Sequence, residues 1–162
     1  LPPGVQNELL SLYDARHLAH HDAAIADLAR QRDLLRDDGR SPAWLEIGSN
    51  TGAFLVGLGA LATRERPAMG VEWTAKLARA ADERIARKGV ERSTVALTAD
   101  ARVAVPVTVP PSSLDAVFVL FPDPWWKPRH AARRILEPVM LRALARRVRP
   151  GGRLYVKSDV FT

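Results

Sequence analysis

The chain has 162 residues, 47% of them hydrophobic and 26% charged, the composition of a soluble globular domain large enough for a sizeable core. With no cysteine it has neither disulfides nor thiolate metal sites, no apolar run approaches the length of a membrane span, and no signal-peptide pattern opens it. The net charge of +6 is unevenly placed: Lys127 to Arg153 carries nine cations against one acid, Glu137, a local +8 that leaves the remainder of the chain at −2.

In chain order, residues 1–16 begin Leu1-Pro2-Pro3-Gly4 and read as irregular, then weakly helical. Of the four histidines, His17, His20 and His21 crowd this early part without ligand geometry and His130 stands far away, so no metal site is expected. From His21 to Arg36 the spacing of Ala24, Ile25, Leu28, Leu34 and Leu35 predicts a helix that packs on a sheet, with Gly39 just beyond it. Residues 37–42 form a turn.

Ala43 to Ile47 is a short apolar strand, Gly48-Ser49-Asn50-Thr51-Gly52 a glycine turn, and Ala53 to Leu58 the opening of a helix. Strand, glycine turn and helix make the first unit of a nucleotide-binding α/β fold. The spacing is neither that of a dinucleotide fingerprint nor that of a phosphate loop, and any tight connection can use such a turn. A second unit follows: a strand from Ala68 to Val71 ending in Glu72, then a helix from Thr74 to Lys88 closed by Gly89. An acid at that strand end is placed for ribose hydroxyls; the plainer reading is an exposed strand-end charge.

Val95 to Thr98 is a third strand, with Asp100 at its carboxyl end, where it can accept a bond from an adenine amino group. Val103 to Ser113 holds Pro106, Pro110 and Pro111 and reads as a loop with at most a short strand. Leu114 to Val117 leads into a fourth strand that continues to Leu120. Then comes Phe121-Pro122-Asp123-Pro124-Trp125-Trp126-Lys127-Pro128-Arg129-His130. The two prolines stiffen the backbone of Asp123. A stiff acid beside aromatic faces and cations suits a group held against a reacting centre; a rigid turn, with Asp123 as a helix cap and the tryptophans as core, is the plainer alternative. His130 to Val148 is helical with a break or restart at Pro138, Pro150-Gly151-Gly152 is a turn, and Arg153 to Lys157 is a fifth strand ending in Ser158-Asp159.

The resulting order is β-α-β-α-β-β-α-β. Glu46, Gly48, Glu72, Asp100, Asp123 and Asp159 are expected to converge at the carboxyl edge of an open sheet, where such folds bind ligands. Five carboxylates with nothing in the turns to neutralise them argue against a polyphosphate and for a cofactor carrying a positive charge and a ribose. The basic stripe beside an aromatic loop is the footprint of a polyanion binder, unless it is simply a solvated helix face.

These motifs resemble the tRNA (guanine-N7-)-methyltransferases, class I enzymes that use S-adenosylmethionine. The matching pieces are Leu45-Glu46-Ile47-Gly48-Ser49, Gly52-Ala53-Phe54-Leu55, Gly70-Val71-Glu72, Asp100-Ala101, Ser113-Leu114-Asp115, Phe121 to Trp125 with Lys127, Arg129, His130, Arg133 and Arg134, and Pro150-Gly151-Gly152 with Ser158-Asp159. The Phe-Pro-Asp-Pro-Trp string with its spaced Lys, Arg, His and paired Arg is the most specific of them. The resemblance implies an α/β, Rossmann-like class I methyltransferase sheet with helices on both faces, and cytoplasmic methylation of N7 of a guanosine in tRNA. It implies cofactor positions at Glu46, Gly48, Ser49, Gly52, Glu72, Trp73, Asp100, Ala101 and Asp123. Asp123 is also the implied catalytic acid, and Lys127, His130, Arg133 and Asp159 are implied substrate positions.

Asn50 departs from a glycine usual in the first loop, Ala131-Ala132 from residues often polar or basic, and Ser158 from a threonine. The family continues with further strands and a Thr-x-x-Glu motif beyond the point where this chain stops, so the sheet is expected to lack its last strands. Residues 1–42 are read as an N-terminal irregular or helical segment packing on the core, and residues 43–162 as the S-adenosylmethionine-binding core. A small-molecule methyltransferase and a non-catalytic cofactor- or RNA-binding relative are the rival readings. Monomer and homodimer both stay open, and neither a membrane nor a metal is an expected partner.

Overall fold

The computed structural model describes residues 1–124, 129 and 134–159. Five strands form one sheet: β1 (Trp44–Ile47), β2 (Ala68–Glu72), β3 (Thr94–Thr98), β4 (Leu114–Leu120) and β5 (Val148–Lys157). Their order is β3-β2-β1-β4-β5 and every neighbouring pair is parallel. Parallel strands need crossovers, and the sheet between them must be covered on both faces.

The helices that do this are α1 (Pro3–Leu12), α2 (Ala15–Ala19), α3 (Asp22–Asp37), α4 (Ala53–Leu61), α5 (Ala75–Lys88), α6 (Ala101–Thr108) and α7 (Pro138–Arg147). Leu45 and Ile47 of β1, with Met69 and Val71 of β2, face a core that also holds Leu9 of α1, Leu28 and Leu35 of α3, Val105 of α6 and Leu144 of α7. The opposite face packs Ala68 against Leu55 and Leu58 of α4 and Ile85 of α5, flanked by Trp44 and Phe118. The alternation along β1 and β2 is the two-residue period of a strand. Gly70 allows α4 to lie close on the sheet: a Cβ there would stand 2.4 Å from a Leu55 methyl carbon and 3.0 Å from Ser49.

Three elements differ from the sequence reading. Val103 to Thr108, expected as loop, belongs to α6, with Pro106 inside the helix. A proline there removes one ladder bond and costs about 3 kcal/mol. Val103, Val105 and Val107 are each at most 2% exposed, and burying such side chains returns about 1.5–3 kcal/mol apiece, so packing outweighs propensity. The helix supplies the crossover between β3 and β4 that parallel pairing demands.

Residues 1–16, expected as irregular then weakly helical, hold α1 and the start of α2. Pro3 sits in the first turn, where its missing N–H costs nothing, and Asp14 caps α2 by accepting from the backbone N–H groups of Arg16 and His17. The predicted Pro150-Gly151-Gly152 turn lies within β5. Val148 pairs with Leu114 and Arg153 with Ala116, so the extra residues bulge out of the strand, with Gly151 at φ +81°. Of the helix expected from His130, residues 130–133 lie outside the described residues, and the restart occurs at Pro138.

A buried ion pair ties the N-terminus to this frame. Arg147 of α7, 3% exposed, donates through Nη1 and Nη2 to the two oxygens of Glu8 at 2.5 and 2.8 Å. It also donates to the carbonyls of Ala143, Pro106 and Val109. Removing one partner strands a buried charge. Glu8→Ala is therefore expected to lower unfolding free energy by about 3–5 kcal/mol in urea titration, while Glu8→Leu combined with Arg147→Met recovers most of that loss.

Candidate active site at the carboxyl edge of the sheet

The strand order reverses direction at β1, and β4 lies beside it, which opens a crevice at the carboxyl ends of β1, β2 and β4. A cavity of about 570 Å³ occupies this edge, within the usual range for small-molecule sites. Gly48, Asn50, Glu72, Trp73, Asp100, Ala101, Phe121 and Asp123 line it, among others. Glu46, Ser49 and Gly52 are not among the lining residues, and neither is Asp159, exposed two residues beyond β5. Trp125, Trp126, Lys127, His130 and Arg133 lie outside the described residues.

The glycine turn folds back on β2. The N–H groups of Gly48 and Ser49 both donate to the Val71 carbonyl, at 2.9 and 3.2 Å. Gly48, Asn50 and Gly52 have φ of +74°, +49° and +73°. The departure at Asn50 is thereby accounted for. Asparagine is among the few residues that adopt the left-handed region readily, and its side-chain oxygen accepts from the N–H of Thr51 at 2.7 Å. At Gly52 a Cβ would stand 2.9 Å from that of Ala81, so the turn and α5 share a close approach.

Three acids meet here in three different states. Glu72 is 5% exposed, not an exposed strand-end charge, and its oxygens accept from the N–H groups of Asn50 (3.0 Å) and Thr74 (2.9 Å). A carboxylate has about four acceptor sites, so Glu72 retains capacity towards the cavity it lines. Glu46 is 4% exposed, and its Oε2 has no hydrogen-bond partner. Burial, and then the nearby Glu72, push its carboxyl up to about 8, so it carries a proton at neutral pH.

Asp100 is the third. Burial works to raise its pKa, but hydrogen bonds from Arg102 and Tyr13 prevail and hold the carboxyl below the usual range. Arg102 pairs with it at 2.7 Å, and the Tyr13 hydroxyl donates to it at 2.5 Å. The expectation of un-neutralised carboxylates therefore fails at two positions, since Asp100 has its own cation and Glu46 its own proton. Arg102 was visible in the sequence, two residues beyond Asp100. Tyr13, 87 residues away, gave no sequence signal.

Asp123 sits exposed on the rim, beyond a strained joint. Phe121 has φ +52°, a genuine outlier for a bulky residue. Its N–H donates to the Lys157 carbonyl at 2.7 Å, and the Lys157 ammonium lies 5.2 Å from its ring centre. Among the described residues no group of three or more His, Cys, Asp or Glu is arranged to hold a metal ion.

Residues 40–162 match a family model described as "Putative methyltransferase". The chain belongs to this family. It is 36% identical over 122 residues to a tRNA (guanine-N(7)-)-methyltransferase of Myxococcus xanthus, covering 74% of this chain and 57% of that protein. To the protein of the same name from Synechococcus sp. (strain WH7803) it is 38% identical over 138 residues, covering 83% and 56%. The chain thus spans about half the length of the curated relatives it matches. Its fold is like that of a SAM-dependent methyltransferase from Aquifex aeolicus, with a TM-score of 0.53 and 16% identity over 77% of this chain and 62% of the other.

The Glu46 carboxyl gives a testable signature. Its folded-state pKa of about 8 lies above the ordinary 4.5, so the stability it contributes is complete below about pH 4.5 and is lost as pH rises through about 8. The ligand-free protein should lose a few kcal/mol between pH 5 and pH 8 from this group. Glu46→Gln should flatten that slope and be the more stable form at pH 8, as read from urea unfolding across the pH series.

Proposed function

We propose that this chain carries the cofactor site and the reacting edge of an enzyme that methylates N7 of a guanosine in tRNA. The observation that carries the reading is the rigid turn at the end of β4, which brings Asp123 to the same cavity as Glu72 and Asp100. The names of the relatives supply the substrate.

S-adenosylmethionine is the cofactor, and the donor set fits it. Glu72 offers acceptor sites for ribose hydroxyls, Asp100 and the backbone of Ala101 stand where an adenine edge is read, and Gly48 allows close approach. Ser49 and Gly52 shape the turn, and Trp73, 67% exposed, supplies a flat face on the cavity wall. The unpartnered Oε2 of Glu46 and its raised pKa mark an environment that favours a cationic ligand group over an anionic one. When bound, the cofactor supplies a methyl group activated by a sulfonium.

Guanine N7 is an acceptor lone pair, so no proton has to leave before it reacts. The protein's work is positioning and electrostatics. Asp123 accepts hydrogen bonds from guanine N–H groups, which aligns N7, and its charge balances the positive charge that the methylated purine acquires. Lys127, His130, Arg133 and Asp159 are assigned to the tRNA, with the basic stretch from Lys127 to Arg153, apart from the buried Arg147, contacting phosphates and the cavity selecting the base. A guanosine inside folded RNA has to be turned out to reach this edge. No helix among the described residues is long and apolar enough to cross a membrane. The reaction is placed in the cytoplasm with its tRNA.

Incubation with labelled S-adenosylmethionine and unmodified bulk tRNA, followed by nucleoside analysis, should yield 7-methylguanosine. Asp123→Asn should lower kcat by roughly a hundredfold or more, on the scale of one lost electrostatic contact to a reacting group, with cofactor affinity unchanged. Near-normal turnover by that variant removes Asp123 from the mechanism, and a different labelled nucleoside removes the N7 assignment.

A further inference from the structure

Every acceptor site of Asp100 is occupied. Its Oδ1 accepts from the backbone N–H of Arg102 at 2.9 Å and from Arg102 Nε at 3.1 Å. Its Oδ2 accepts from Arg102 Nη2 at 2.7 Å and from the Tyr13 hydroxyl at 2.5 Å. Four donors fill the roughly four lone-pair sites of a carboxylate. Asp100 nevertheless lines the cavity, so a ligand donor reaching it must displace one of them.

The four donors are not equally replaceable. Three come from Arg102, two residues along, and one of those, its backbone N–H, makes the bond by which Asp100 caps α6. The fourth comes from Tyr13, at the joint where α1 ends and Asp14 begins α2. Tyr13 does not line the cavity. Its ring has other contacts, 5.1 Å from the His21 ring and beneath the Arg102 guanidinium at 4.9 Å, so it keeps a place when its hydroxyl moves away.

We propose that Tyr13 determines the affinity and base selectivity of the cofactor site: its hydroxyl occupies the Asp100 oxygen that the base amino group of the cofactor takes on binding. This rests on the reading of Asp100 as the residue facing the adenine. The N-terminal helices are then linked to the site through one exchangeable hydrogen bond. A ligand that brings a donor to Asp100 releases the α1–α2 joint, and a ligand without one leaves it latched.

The test is calorimetric titration with S-adenosylhomocysteine and with its analogue whose purine lacks the 6-amino group. Tyr13→Phe keeps the ring and removes only the competing hydroxyl. It should tighten S-adenosylhomocysteine about fivefold, the scale of one net hydrogen bond, and leave the deamino analogue unchanged. Weaker binding of S-adenosylhomocysteine, or an equal change for both ligands, overturns the proposal, because a wall-packing role does not distinguish them. In the unmutated protein, saturation with S-adenosylhomocysteine should speed amide hydrogen exchange across residues 13–18; unchanged or slower exchange overturns the latch independently of any variant. If the unmutated protein binds neither ligand, the cofactor reading itself falls, an outcome distinct from a failure of Tyr13.

Discussion

Two carboxylates, Glu46 and Glu72, share one water-poor end of the sheet, and the character of the site follows from that crowding. Two ionised acids at such a spot would repel each other across a low-dielectric gap. The fold answers differently for each. Glu72 receives two backbone N–H groups from the residues that flank it in space, while Glu46 Oε2 receives none, and that carboxyl holds its proton. Asp100, one strand further along, is matched instead by Arg102. The edge is therefore graded from a neutralised pair at β3 to a hydrogen-bonded acid at β2 and a protonated one at β1, with an exposed acid at β4. With the cofactor bound as proposed, Asp100 at β3 would hold its base and Glu72 at β2 its ribose, the surroundings of Glu46 at β1 would favour its cationic end, and Asp123 at β4 would hold the methyl acceptor.

How much of this was legible follows from where each signal resides. The β1–turn–α4–β2 unit was readable because alternation, glycine spacing and a terminal acid are all local. The helix α6 was not. Three prolines in eleven residues outweigh any propensity argument, and only the sheet and α3 pressing on Val103, Val105 and Val107 reverse it. The bulge in β5 has the same residues as a turn, and only pairing with β4 tells the two apart. The list of acids at the edge was legible, but their charge states were not. A protonated Glu46 depends on burial, and a saturated Asp100 depends on a tyrosine far away in sequence.

The N-terminal helices are held at two points of different kind. Glu8 meets Arg147 in the interior, with both side chains almost fully enclosed and three carbonyls completing the arginine's donors. Such a contact has no low-cost open form, so it fixes α1 against α6 and α7. Tyr13 meets Asp100 at the edge of a ligand cavity, where an incoming donor can replace it at little cost. Within a few residues the chain thus passes from a permanent anchor to an exchangeable one. This difference is what allows α1 to stay docked while the joint to α2 responds to the cofactor.

The last constraint lies on the opposite side of the crevice. Phe121 holds a left-handed backbone that costs on the order of 1–3 kcal/mol, and strain of this size persists only where neighbours over-determine it. Those neighbours belong to β5: the Lys157 carbonyl takes the Phe121 N–H, and the Lys157 ammonium lies over the ring. Two prolines then leave Asp123 few conformations of its own. A carboxylate that aligns a base lone pair gains from this stiffness, since a displacement of about 1 Å can cost a hundredfold in rate. β5 is the edge strand of the described sheet, and its role at the site is indirect but specific: it holds the end of β4 in the one bend that presents Asp123 to the cavity.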